Sequence, residues 1–227
     1  MILVTGDTHG IHDYNKIYLL NKCNILSKND YLIIAGDFGG VWNKNTLDDD
    51  LSYYTKLPFM VLFVDGNHEN FDLLNSYPIE IWNGGKVHKI KDNIYHLMRG
   101  QIFTIENKTI FTFGGGTSID KIYRIEHISW WKEEIPSLEE IDEAKNNLKK
   151  YNNKVDYIIT HSIDRKALYN PKLFIQGNKC MEYEENAILD WFEENVKYKH
   201  WYFGHYHLDE KINDNKTVLY QEFKELL

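Results

Sequence analysis

Proline is scarce and cysteine scarcer: 227 residues hold four of the one and two of the other. Cys23 and Cys180 do not make a disulfide framework. Cys23 falls in a predicted helix, Cys180 stands beside Met181, and both read as inert thiols. No apolar run approaches the ~20 residues of a membrane-spanning helix. No basic segment or cleavage pattern precedes the strand-like residues that follow Met1, so a cytoplasmic location is expected. Basic excess is lacking too. Net charge is −8 and the pI is near 5.7. That argues against broad electrostatic binding to nucleic acid, which needs a cationic surface to displace counterions. A nucleotide or a nucleic-acid end docking at a cationic metal centre is compatible with it. Internal repeats, low-complexity tracts and Pro/Gly linkers are missing as well. One domain over 1–227 is expected, large enough to bury most of its apolar surface.

Aromatic residues, by contrast, make up 15% of the chain, and a well-filled core accounts for most of them. Three nearly continuous apolar runs predict buried parallel strands: Met1–Thr5, Tyr31–Ala35 and Phe59–Val64. Helices are predicted over Ile11–Ser27 and from an N-cap at Thr46 through Lys56. From about Val87 to Phe113, short segments separated by Gly and Asn suggest an antiparallel meander over Ile94–Leu97, Ile102–Ile105 and Thr109–Phe113. Ser137 caps a helix with acids in its first turn and lysines in its last. Val155–Thr160, His200–Phe203 and Thr217–Tyr220 read as strands, and Glu182–Asn195 as a helix.

Five short pieces stand at the ends of these strands: Asp7-Thr8-His9, Gly36-Asp37, Gly66-Asn67-His68-Glu69, Thr160-His161 and Gly204-His205-Tyr206-His207. In an open α/β sheet, ligands bind at the carboxyl ends of strands. Asp37 is a candidate bridge between two ions, since a carboxylate offers two oxygens. Asp7 and His9, like His205 and His207, are two apart and can bend toward one ion. Asn67 offers an amide oxygen and His161 an imidazole. Nitrogen and oxygen ligation without thiolate suits Mn, Fe, Zn, Co or Ni better than Ca. Gly6, Gly36, Gly66 and Gly204 mark the turns, where glycine permits both unusual backbone angles and close approach.

The blocks GDTHG, GDFGG, GNHE, THS and GHYH, in this order from residue 6 to residue 207, resemble the calcineurin-like metallophosphoesterase superfamily. The resemblance implies an α/β fold, a two-sheet αββα sandwich, with a variable substrate-facing segment at about 70–155. It implies two divalent ions, most simply Mn. Asp7, His9, Asp37 and His207 would hold the first, and Asp37, Asn67, His161 and His205 the second. A hydroxide bridging the ions would attack phosphorus, with His68 as the general acid. The expected enzyme is a phosphoric ester hydrolase acting on a phosphomonoester or phosphodiester. An arginine that follows the second block in protein phosphatases of this superfamily is missing from Phe38-Gly39-Gly40-Val41-Trp42. The chain therefore looks more like small bacterial, archaeal and phage phosphoesterases.

Gly114–Lys121, with Arg124, Trp130 and Trp131 beyond it, resembles the Gly-rich stretch of RNA lariat-debranching enzymes in the same superfamily. Lys121 and Arg124 are candidate contacts to substrate phosphate, and Trp130 or Trp131 a platform for a base, although tryptophans more often pack in a core. The Gly114–Gly116 run is equally readable as a tight turn. Glu69 is expected to support the ligands rather than join them. His12 and His127 are further residues that can approach the site. Two other functions stay open: a nucleotide- or nucleic-acid-directed phosphodiesterase, and a metal-binding scaffold for protein partners. The intact Asn67-His68 pair disfavours the scaffold.

Overall fold

The computed structural model describes residues 1–173 and 181–227; Cys180 lies outside them. Two mixed sheets face each other with helices on both outer sides. The first has seven strands, with β1 (Ile2–Thr5), β2 (Tyr31–Ile34) and β3 (Met60–Phe63) parallel and adjacent. β6 (Ile94–Leu97) continues the parallel set beside β3, and β5 (Gly85–Lys91) and β4 (Ile79–Trp82) extend it antiparallel. β13 (Lys224–Glu225) closes the other edge. The second sheet has six strands. β8 (Lys108–Phe113), β9 (Tyr157–Thr160), β10 (His200–Phe203) and β12 (Lys216–Val218) lie parallel, flanked by β7 (Gln101–Ile105) and β11 (Glu210–Asn213).

Strand periodicity sorts the core into three layers. Ile2, Val4, Ile33 and Leu62 point between the sheets, where they meet Phe103, Ile110, Tyr157 and Ile159. The alternate residues Leu3, Leu32 and Phe63 point outward, onto Ile17 and Leu20 of α1 (Asn15–Lys22). On the far side Ile158, Trp201 and Phe203 pack on α4 (Leu138–Lys150) and α6 (Glu184–Asn195) through Leu148, Leu189 and Phe192. Short helices α2 (Leu47–Leu51), α3 (Phe71–Leu74) and α5 (Arg165–Leu168) complete the connections.

Several expectations shift. The helix expected from Ile11 starts at Asn15. The residues before it are held in a turn, in which Thr8 and His9 donate their backbone N–H groups to the Asp37 carbonyl at 3.0 and 2.9 Å. Cys23 lies just past the end of that helix and is exposed. The segment from Thr46 gives only α2 and a separate 3-10 turn. Ser137 does cap α4, through a reciprocal bond with Glu140. The middle segment is not one meander: β6 ends in the first sheet and β7 starts the second. The chain crosses between layers at Met98-Arg99-Gly100. Gly100 has φ +72, and a Cβ there would lie 2.8 Å from Ala144 on α4. Gly100→Ala is expected to cost about 1–3 kcal/mol from overpacking and backbone strain. A urea midpoint unchanged from the parent would show that the crossover can give way.

Candidate metal centre

Each sequence block leaves the end of a parallel strand: Asp7 follows β1, Asp37 follows β2, Asn67 and His68 follow β3, His161 follows β9, and His205 and His207 follow β10. Because the two sheets face one another, these ends converge. Donor atoms of Asp7, His9 and His207 form one group within 4.8 Å, and those of Asp37, His161 and His205 form another. The Asp37 carboxylate stands between them. Its Oδ2 lies 3.3 Å from His9 Nε2 and its Oδ1 3.3 Å from His161 Nε2. His161 Nε2 is also 3.2 Å from Asn67 Oδ1 and 3.1 Å from His205 Nδ1. His207 Nε2 is 3.1 Å from Asp7 Oδ2.

The backbone is bent to reach this arrangement. His9, Asp37, His205 and His207 all have φ between +44 and +69, the left-handed region that costs a non-glycine residue energy and clusters at functional sites. Of the four strand-end glycines, only Gly36 needs a positive φ. The others are there for space. A Cβ on Gly66 would sit 2.1 Å from Asp37 Oδ1, one on Gly204 2.3 Å from Asp7 Oδ1, and one on Gly6 1.9 Å from the Leu219 carbonyl.

Neighbouring groups orient the imidazoles. His161 Nδ1 donates to the Ala35 carbonyl at 3.0 Å, which leaves Nε2 facing the cluster. Asp13 Oδ2 accepts from His9 Nδ1 at 2.7 Å, with the same result. Tyr220 stacks on His207 at 4.7 Å and donates to Asp13. Burial alone would lower His161, but Asp37 and Asp7 outweigh it and raise the pKa to about 10; His9 rises to about 9 for the same reason. His205, beside charged His161, is pushed down to about 4 by burial and that charge.

A further layer was not read from the sequence. Asp65, the residue just past the Phe59–Val64 run, is buried and accepts from Arg99 Nε at 2.8 Å and His96 Nε2 at 3.0 Å. Arg99 also donates to the Glu133 carbonyl at 2.7 Å, and His88 contacts His96 at 3.1 Å. Burial works against the Asp65 carboxylate, but the Arg99 charge and the His96 bond hold its pKa well below the usual range. The Gly114–Gly116 run passes directly over this cluster: a Cβ on Gly114 would strike Asp65, and one on Gly116 would lie 2.9 Å from His161. Its glycines serve close packing. Glu69 accepts from Phe38 N at 2.8 Å, steadying the loop after Asp37; burial and the nearby Asp37 and Asp65 raise its pKa well above that of a free glutamate. Lys16, beneath β1, donates to the Asp7 carbonyl at 2.7 Å.

A family model described as calcineurin-like phosphoesterase matches residues 1–209. The chain belongs to this family. The lariat debranching enzyme of Schizosaccharomyces pombe (strain 972 / ATCC 24843) is 30% identical over 127 residues, covering 49% of this chain and 25% of that enzyme. The chain thus spans about a quarter of the length of that curated relative. Phosphopantetheinyl hydrolase (PptH) from Mycobacterium tuberculosis is similar in structure at a TM-score of 0.49 and 15% identity, over 96% of this chain and 87% of that one. A likeness at that level says nothing of activity.

Calcineurin-like phosphoesterases use divalent ions, and the residues here fit them. Among the described residues, Asp7 Oδ2 is buried and accepts no hydrogen bond, although His207 Nε2 is close. A buried anionic oxygen without a partner calls for a cation. Donor separations of 3.1–3.3 Å are also those of neighbouring ligands around one ion at about 2.0–2.2 Å.

The substrate candidates divide. Arg124 lines a cleft of about 710 Å³ that opens on Asp37, Asn67, His205 and His207. It is already engaged, with Nε 2.7 Å from Asp120 and Nη1 donating to the Ser129 carbonyl. Lys121 does not line that cleft; it is exposed, with its ammonium 6.0 Å from the Trp130 ring. Trp131 is fully buried, packs edge-on against Trp42 and donates to Asp72, so it is no base platform. His127 pairs with Asp72, away from the cleft. His12 borders a smaller cleft beside His9 and His68.

Proposed function

We propose that the chain is a metal-dependent phosphoester hydrolase with a two-ion centre, manganese being the first ion to try. Asp7, His9, Asp37 and His207 hold one ion, and Asp37, Asn67, His161 and His205 the other. The observation that supports this most directly is the division of the Asp37 carboxylate, one oxygen toward His9 and the other toward His161. Bound divalent ions supply Lewis acidity toward the phosphoryl oxygens and an activated water. The surrounding residues do the rest. Asp13 and the Ala35 carbonyl hold His9 and His161 with Nε2 turned inward. Asp37 Oδ1 accepts from the His68 backbone N–H at 2.8 Å, which fixes His68 beside the cluster.

His68 is the proton donor to the leaving oxygen. Its donor atom falls within 4.8 Å of those of His9 and Asp37, so proximity alone does not separate it from the ligands. The distinction rests on orientation. Among the described residues its ring makes no hydrogen bond, whereas those of His9 and His161 are fixed. It also faces open clefts on both sides. The substrate is a small phosphorylated compound, with a nucleotide or nucleic-acid end as the second reading; the net charge of −8 disfavours long duplexes. A cytoplasmic location completes the proposal.

The test is release of p-nitrophenol from phosphate esters by Mn²⁺-loaded protein. Hydrolysis that needs the ion is expected, and failure on mono-, di- and pyrophosphate esters alike would sink the reading. His68→Asn is expected to lower kcat about a hundredfold or more while leaving metal content, measured by elemental analysis, unchanged. Loss of metal along with rate would make His68 a ligand instead.

A further inference from the structure

His68 borders two clefts, not one. The larger, about 710 Å³, lies on the side of Asp37, His205 and His207, with Ile119, Met181 and Tyr183 also in its walls. The smaller, about 260 Å³, lies on the side of His9, with Ile11, His12, Trp42 and Asp50. The metal-ligand cluster therefore sits at the junction of the two, and a phosphorus held there has a space on either hand. A phosphomonoester has one organic arm and fills one space. A phosphodiester has two.

Resting on the phosphoesterase reading above, we infer that the substrate is a phosphodiester whose two arms occupy the two clefts, and that neither arm carries a second phosphate. The charges lining the clefts give the second half of this. Arg124 is the one Lys or Arg side chain among the described residues that line either cleft. Its Nε is paired with Asp120 and its Nη1 donates to the Ser129 carbonyl. The remaining charged walls are acidic: Asp120 and Glu185 in the larger cleft, Asp50 in the smaller. Glu185 is itself bonded to Thr117 N and Oγ1 at 3.1 and 2.8 Å. An additional phosphate would meet these carboxylates, and among the described lining residues the one Lys or Arg is already paired with Asp120, so the approach is costly at close range. A neutral sugar, base or aromatic alcohol meets hydroxyls, amides and rings.

The smaller cleft has a flat wall. The Trp42 ring is 6.4 Å from that of His68 and rests edge-on against Trp131 at 5.3 Å, so it is held in place. It stands in the segment where a phosphate-clamping arginine is missing. One planar group could lie along the indole next to the proton donor, and about 260 Å³ admits a single ring system.

The experiment compares thymidine 5′-(p-nitrophenyl phosphate) with p-nitrophenyl phosphate, both read as p-nitrophenol release by the Mn²⁺-loaded protein. The diester is expected to have at least a tenfold higher kcat/KM. Its KM should rise about tenfold on Trp42→Ala in the small cleft and rise also on Ile119→Ser in the large one. The monoester, with one arm, should respond to only one of the two. Trp42 touches buried Trp131, so His12→Ala, an exposed change in the same cleft, guards against a folding defect. Equal or faster hydrolysis of the monoester would overturn the inference. So would a diester KM that moves with one cleft alone, or a pyrophosphate ester preferred to the diester. If neither ester is cleaved, the phosphoesterase reading fails as well, a different result from a preference for the monoester.

Discussion

Asp37→Asn is expected to leave the protein folded, without measurable phosphoester hydrolysis and with less bound metal. Asparagine tolerates the left-handed backbone that residue 37 adopts at φ +48, and it matches the carboxylate in size. What it lacks is the second oxygen and the charge. Only one of the two donor groups could then receive an oxygen, and the amide nitrogen would be turned toward an imidazole. The raised pKa values of His161 and His9 depend on Asp37 among their causes, so the substitution also removes the charge that draws a cation to this point. Initial rates and elemental analysis after Mn²⁺ loading would decide it. Retention of both ions, or of more than about a tenth of the activity, which is less than about 1.4 kcal/mol of barrier, would remove Asp37 from its bridging place.

Arg99→Ala should destabilise the fold by about 3–5 kcal/mol, the usual cost of breaking a buried ion pair from one side. Arg99 and Asp65 are both buried, and Arg99 also joins the Glu133 carbonyl to the loop that carries Asn67. Removing it leaves the Asp65 carboxylate inside the protein with His96 as its remaining hydrogen-bonded side chain. Arg99→Lys is not a safe control, because one ammonium cannot reproduce the forked contacts. The sign with pH follows from the depressed Asp65 pKa: its contribution is present in full above the ordinary carboxylate range and is lost as the pH falls from there through the lower folded value. Urea unfolding at neutral pH would measure the effect, and a loss below about 1 kcal/mol would show that the pair is dispensable.

The proposed metal donors were legible because each is adjacent in sequence to a strand end. Gly66-Asn67-His68-Glu69 can be read without knowing what it faces. Asp65 and Arg99 could not be paired that way, since they are 34 residues apart and meet because β3 and β6 lie side by side in parallel, at the point where the chain then crosses to the other sheet. A lone buried arginine in Met98-Arg99-Gly100 was the available signal. The same crossover hid the division of the middle segment, as the Gly and Asn turns of 83–107 look alike whether a hairpin stays in its sheet or departs. Side-chain direction was less legible. Charge near a Gly-rich run suggested Lys121 as a substrate contact, and tertiary packing turns it outward, while Trp131 packs in the core as tryptophans more often do.

The two donor groups share one more property. Asp7 and His9 belong to the first sheet and His207 to the second; Asp37 and Asn67 belong to the first, His161 and His205 to the second. Neither group is complete on one layer. On the proposed reading, each ion is therefore a rivet through the sandwich. Separating the layers and releasing the ions become one event, so the chemistry that makes the enzyme work also fastens its halves together.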